Sequence, residues 1–191
     1  MARVLVALAP GAEEIETMGV ADTLVRAGCT VTIAAAAPTL TLRGSRDLPL
    51  AADTLLADLA SETFDCLFCP GGMGSAEHCQ ADPLIQDLLE RQLAGPGLLA
   101  LICACPIALL PRALCTGRRL TCYPALRDRF ADQAQWIDAP VVVDGNLITS
   151  QGPGTTIHLG LELARQLVDE ATADSVAAAM LVEPLSARSA P

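Results

Sequence analysis

Aromatic side chains are scarce in this 191-residue chain: one Trp, one Tyr and three Phe. Its core must therefore be filled by Ala, Leu, Val and Ile. Basic residues are also few, 12 against 22 acidic ones, for a net charge of −10. So negative a chain repels a polyanion, which argues against nucleic-acid binding through a basic footprint. No apolar run approaches the roughly 18 residues that a membrane helix requires. The opening stretch MARVLVALAPGAEEIE has too short an apolar run for a secretory signal, and acids follow at once; a cytoplasmic protein is expected. Charged residues make up only 18% of the chain and apolar ones 52%. That is ample for a full core and unlike a disordered composition. The length suits a single domain over 1–191, with 183–191 a loose tail.

The eight cysteines do not suggest a disulfide framework, because the chain is longer than small secreted scaffolds and shows no export signal. Cys66 and Cys69 have a zinc-like spacing, but DCLFCP reads as a buried strand. Residues three apart on a strand face opposite sides of the sheet, so these two thiols should not converge on an ion, and no metal site is expected. Cys29, Cys66 and Cys69 read as small buried hydrophobes.

Short apolar runs alternate with amphipathic stretches. Strands are expected at 3–8, 29–35, 64–69, 98–103 and 119–122, with a hairpin over 141–149 turned at Asp144-Gly145. A helix is expected over 13–27, with Ile15, Met18, Val20, Leu24 and Val25 as its apolar positions and Gly28 as its stop. Asp82-Pro83 opens a further helix up to Leu93. A short helix follows Cys103, and two more close the chain at 155–168 and 172–182. The segment 38–52 reads as short extended pieces and turns. This order predicts an α/β fold, a mainly parallel sheet with helices on both faces.

Sites in such sheets form beyond the C-terminal ends of strands. Three of those ends carry unusual residues: Pro10-Gly11-Ala12-Glu13-Glu14-Ile15-Glu16, Pro70-Gly71-Gly72, and Ile102-Cys103-Ala104-Cys105-Pro106. A thiol at a strand-to-helix junction resembles a nucleophile elbow, and the adjacent helix N-terminus should favour its thiolate. Gly71 and Gly72 would let backbone N–H groups approach a substrate oxygen. On local pattern alone, Cys103 reads equally well as a buried structural thiol. Glu16 reads equally well as a solvated first-turn carboxylate like Glu13 and Glu14.

GAEEIET at 11–17, SRD at 45–47, PGG at 70–72, ICACP at 102–106 and TSQGPGT at 149–155 together resemble the ThiJ/PfpI superfamily. Within it they resemble the parkinsonism-associated deglycase branch, close to its YajL-like bacterial members. The resemblance runs from residue 3 to about 182. It implies a flavodoxin-like three-layer sandwich, a homodimer, Cys103 as an oxidation-sensitive nucleophile and Glu16 as its acidic neighbour. Gly71 and Gly72 would supply the oxyanion-side backbone, beside Ala104. Arg46, and with it Arg26, would reach the site from the partner subunit, and Tyr123 and Pro153 would be further contacts. The chain departs from the superfamily at three positions. Ala104 stands where the protease-like branch has a histidine, which disfavours Cys–His peptidase chemistry and amidotransferase-like hydrolysis. Tyr123 stands where many relatives place a histidine, replacing an imidazole with a poor base. Cys105, where relatives have a small residue, could resolve an oxidised Cys103 only through a strained bond.

Two adjacent negative groups repel, so Glu16 and Cys103 should share one proton, with a neutral Glu16 donating to a thiolate. That pairing suits cofactor-free addition to 2-oxoaldehydes such as methylglyoxal and glyoxal, or action on their early glycation adducts, giving 2-hydroxy acids. The alternative is an oxidative-stress sensor or chaperone working through oxidation of Cys103. His78 and His158 are expected to be structural or solvent-facing, and Trp136 a packing anchor.

Overall fold

The structure, a computed structural model, describes residues 1–183. The tail expected at 183–191 lies, apart from Glu183, outside the described residues. In chain order the elements are β1 (Arg3–Leu8), α1 (Glu14–Arg26), β2 (Thr30–Ala35), β3 (Thr41–Arg43), β4 (Pro49–Ala51), β5 (Thr54–Leu55), β6 (Cys66–Cys69), α2 (Met73–Ala81) and α3 (Pro83–Ala94). They continue with β7 (Leu98–Ile102), β8 (Arg119–Leu120), β9 (Gln135–Trp136), β10 (Val141–Asp144), β11 (Leu147–Ser150), α4 (Thr156–Leu167) and α5 (Glu170–Ala179).

Strand residues split by parity between two cores. Val4, Val6, Cys66, Phe68, Ala100 and Ile102 pack on one face of the sheet. Leu5, Ala7, Leu67, Cys69, Leu99 and Leu101 pack on the other. Strands buried on both sides need helices on both sides: α1, α4 and α5 cover the first face, α2 and α3 the second. The sheet order is β10-β11-β7-β6-β1-β2-β5. Every pairing is parallel except β10 with β11, the hairpin turned at Gly145. This is the expected flavodoxin-like sandwich, and Cys66 and Cys69 do face opposite cores.

Local signals hold the helices in place. The Asp82 carboxylate caps α3 by accepting from Leu84 N–H at 2.8 Å. Gly28, at φ 84°, ends the turn after α1. No helix among the described residues is long and apolar enough to cross a membrane.

The helix expected over 13–27 forms as α1, but not all of its apolar positions face the core. Val20 and Leu24 are buried, but Ile15, Met18 and Val25 are 60%, 49% and 57% exposed. Thr17, Ala21 and Thr23 lie inwards instead. The cause is close packing against α4: a Cβ on Gly160 would sit 2.7 Å from Thr23 Cβ, and one on Gly19 would sit 2.6 Å from Thr156 Cγ2. Small residues let the two backbones approach, and the larger apolar ones are left outside. The helix expected after Cys103 is a short 3-10 turn over Cys105–Leu109, and the strand expected at 119–122 pairs only at Arg119–Leu120.

Topology places the site. β1 leads into α1 on one face, and β6, its neighbour, leads into α2 on the other, so a crevice opens at the C-terminal ends of the two strands. β7 ends beside them at Ile102, one residue before Cys103.

Candidate active site

Cys103 has φ 60°, a left-handed conformation that a side-chain-bearing residue seldom adopts. It is held there from two sides. Its N–H donates to Ser150 O at 2.9 Å, at the end of β11, and its carbonyl accepts from Tyr123 N–H at 2.8 Å. Such strain persists where neighbours over-determine it, commonly at functional positions. The seven other cysteines are buried, and Cys103 alone is partly exposed.

Glu16 lies in the first turn of α1 and is fully buried. Gly71 N–H donates to its Oε2 at 2.8 Å, while Oε1 is buried without a hydrogen-bond partner. A Cβ placed on Gly71 would sit 2.6 Å from both Cys103 Cβ and Glu16 Oε2, so glycine is what allows thiol and carboxyl to meet. Glu13 fixes this geometry. Its carboxylate accepts Glu16 N–H at 2.8 Å as the cap of α1, and its own N–H donates to Gly71 O at 3.0 Å.

Burial raises the Glu16 carboxyl to about 7, against a Gly71 hydrogen bond that lowers it; the nearby Glu13 charge adds to the rise. Burial, then the Glu16 charge, push the Cys103 thiol up to about 12, against backbone hydrogen bonds from Gly72 and Ala104. Between these two values the pair carries a single negative charge, as expected. Burial and the Glu16 charge oppose the expected thiolate, while the Gly72 and Ala104 N–H groups favour it. The helix N-terminus that was to favour the thiolate is only a 3-10 turn, too small a dipole to offset desolvation.

A second correction concerns Gly71. Its N–H is taken by Glu16 and its carbonyl by Glu13, so it offers no donor to a substrate oxygen. Gly72, at φ 88°, and Ala104 direct their N–H groups at the sulfur. A third concerns Cys105: it is buried among Cys69 and Cys79 on the α2 face and is not poised to resolve Cys103.

Glu13 and Glu14 are both buried rather than solvated. Glu14 turns to the β3–β4 side, accepting from Arg46 N–H at 2.8 Å, Ser45 Oγ at 3.2 Å and Leu48 N–H at 3.3 Å. It thereby fixes the turn that carries Arg46. The Arg46 side chain is exposed, and Arg26 pairs with Asp22 on its own helix at 2.7 Å. Within one chain neither is brought to Cys103. Tyr123 is half-exposed with its ring beside Gly152, and Pro153 is exposed at the start of a 3-10 turn. His78 pairs with Asp82 at 3.3 Å and His158 faces Glu183 O at 3.2 Å. Neither acts on Cys103 or Glu16. Trp136 packs against the core on the α2 face.

Gly152 stands in the TSQGPGT segment at 149–155. It has φ 164°, extended backbone open to any residue. What marks it is position: a Cβ there would lie 4.0 Å from Cys103 Sγ. The motif pointed to this loop, but the distance to the sulfur comes only from the fold.

Residues 2–166 match the model of the DJ-1/PfpI family. The chain belongs to that family. It is 41% identical over 179 residues to Protein dj-1beta of Drosophila melanogaster, covering 93% of this chain and 96% of the relative. The crystal structure of Drosophila DJ-1beta superposes with a TM-score of 0.93 at 40% identity, covering 95% of this chain and 98% of that one. The glutathione-independent glyoxalase DJR-1.2 of Caenorhabditis elegans is 35% identical over 159 residues, 82% of this chain and 83% of the relative. The structure of oxidised Toxoplasma gondii DJ-1 has a TM-score of 0.90 at 35% identity, covering 95% of this chain and 99% of that one. This DJ-1/PfpI chain thus keeps the fold of its relatives over nearly its whole length.

Proposed function

We propose that this DJ-1/PfpI protein is a cofactor-independent glyoxalase acting on 2-oxoaldehydes or their early glycation adducts. The observation that carries the reading is the strained Cys103 facing a buried Glu16 whose carboxyl is raised to about 7. A base with that value is best matched to proton transfer near neutral pH.

In methylglyoxal the sulfur attacks the aldehyde carbon. The thiol proton passes to Glu16 and on to the aldehyde oxygen, leaving a hemithioacetal. Glu16, again a carboxylate, removes the proton from that carbon, and the pair of electrons forms an enediolate with its charge on the former ketone oxygen. Return of the proton to the adjacent carbon, with transfer of the hemithioacetal hydroxyl proton to the former ketone oxygen, gives a 2-hydroxy thioester, and water cleaves it to lactate and free Cys103. One water is consumed and nothing is oxidised overall. Gly72 and Ala104 N–H groups steady the charge on sulfur as it develops and leaves.

A homodimer fits the same reading. Ile15, Met18 and Val25 form an exposed apolar stripe along α1, and Leu48 adds to the exposed apolar residues. Arg26 and Arg46 would then stand at the rim, where the partner's site could receive them. We also take the chain as a single functional unit.

The test is lactate formation from methylglyoxal by wild type, Cys103→Ser and Glu16→Gln, with glycated amines alongside and a buffer control. Loss of about a hundredfold or more is expected in each variant; substantial turnover by Cys103→Ser would defeat the proposal. The solved oxidised relative favours one second reading, a peroxide-responsive role. Two peroxides would convert the Cys103 thiol to a sulfinic acid with release of two waters. Intact mass after mild peroxide, with negligible aldehyde turnover, selects that reading over the first.

A further inference from the structure

Gly152 stands between two groups. A Cβ built on it would lie 3.8 Å from Tyr123 Cδ2 and 4.0 Å from Cys103 Sγ. Both are ordinary van der Waals distances, so the space next to Gly152 is a gap about one carbon group wide, with sulfur on one side and an aromatic ring on the other. Tyr123 is the only tyrosine in the chain and is 49% exposed. Its backbone is pinned by the hydrogen bond to Cys103 O, so the ring is tethered directly to the nucleophile.

We infer that Tyr123 and Gly152 form a specificity slot over Cys103, which receives the substituent on the attacked carbonyl compound and favours flat, aromatic ones. The inference rests on the proposed reading of Cys103 as the nucleophile. A flat group can lie along the ring and pass over the bare Gly152, whereas a branched one meets the backbone. Stacking on an aromatic face corresponds to about a two- to tenfold preference.

The test compares rates of Cys103 alkylation by 2-bromoacetophenone and bromoacetone, read by intact mass, with Cys103→Ser as the control for adduct position. In both reactions the sulfur–carbon bond forms, bromide leaves and the thiol proton goes to buffer. The thiol's own reactivity therefore cancels in the ratio. The aryl-to-methyl ratio should fall about fivefold in Tyr123→Ala and be kept in Tyr123→Phe. It should also fall in Gly152→Ala, whose extended backbone accepts alanine and whose methyl fills the gap. A ratio unmoved in Tyr123→Ala and Gly152→Ala overturns the slot. Wild type that makes no lactate from methylglyoxal, yet shows these ratio changes, overturns the glyoxalase reading and leaves the slot standing.

Discussion

Replacing Glu16 with Gln should stabilise the fold while removing the activity. The Glu16 carboxyl has an ordinary value of 4.5 and is raised to about 7 by burial. Between these two values the folded state binds more protons than the unfolded chain, so stability falls as pH rises, and the whole penalty is present above about 7. At about 1.4 kcal/mol per pH unit, the penalty is roughly 3 kcal/mol. Gln keeps the acceptor for Gly71 N–H and carries no charge to desolvate. Its amide N–H₂ must face the buried space of Oε1, which trims the gain. Urea unfolding of wild type and Glu16→Gln should therefore give similar stabilities near pH 4.5. By pH 8 the variant should lead by up to about 3 kcal/mol, with m unchanged. A gap that stays flat from pH 5 to 8, or a wild type that gains on the variant as pH rises, would refute the reasoning.

Gly71→Ala places a methyl against Cys103 Cβ, Glu16 Oε2 and Ile102 O, and should cost about 1–3 kcal/mol in urea unfolding together with most of the lactate formation. Glu14→Gln should loosen the 45–48 turn, seen as faster amide exchange at Arg46 and Leu48. Burial raises the Glu14 carboxyl, but its hydrogen bonds from Arg46, Leu48 and Ser45 together outweigh this and hold it below its usual value of 4.5. In wild type that anchoring is therefore fully present above about pH 4.5 and is lost as the pH falls through the lowered value. Asp82→Ala removes the cap of α3 and should lower stability by about 1 kcal/mol, with activity unchanged.

The sheet was legible because its strands are apolar throughout or alternate cleanly, and because Pro10-Gly11, Pro70-Gly71 and Asp144-Gly145 punctuate them. A strand such as LeuLeuAlaLeuIle has few alternatives once glycine and proline bracket it. The face of α1 was not legible. Counting apolar residues at helical spacing favours Ile15, Met18 and Val25, but Gly19 and Gly160 draw α4 so close that threonine and alanine fill the contact. Which side of a helix is covered depends on its neighbour's backbone, and only the assembled fold supplies that.

The identities of Cys103 and Glu16 could be read from their motifs, whereas the location of their shared proton could not. That location depends on desolvation, which is a property of the closed crevice, and on the length of the turn after Cys103. A pH–rate profile does not separate the two forms, since a thiol with a carboxylate and a thiolate with a neutral acid hold the same number of protons. Glu16→Gln does separate them. If the carboxylate charge helps to push the thiol up to about 12, its removal lets Cys103 ionise more easily. Alkylation by iodoacetamide at pH 8 should then speed up in the variant that has lost lactate formation. Were Glu16 instead a neutral donor to a resting thiolate, Gln would replace one neutral donor by another and alkylation would stay level or slow.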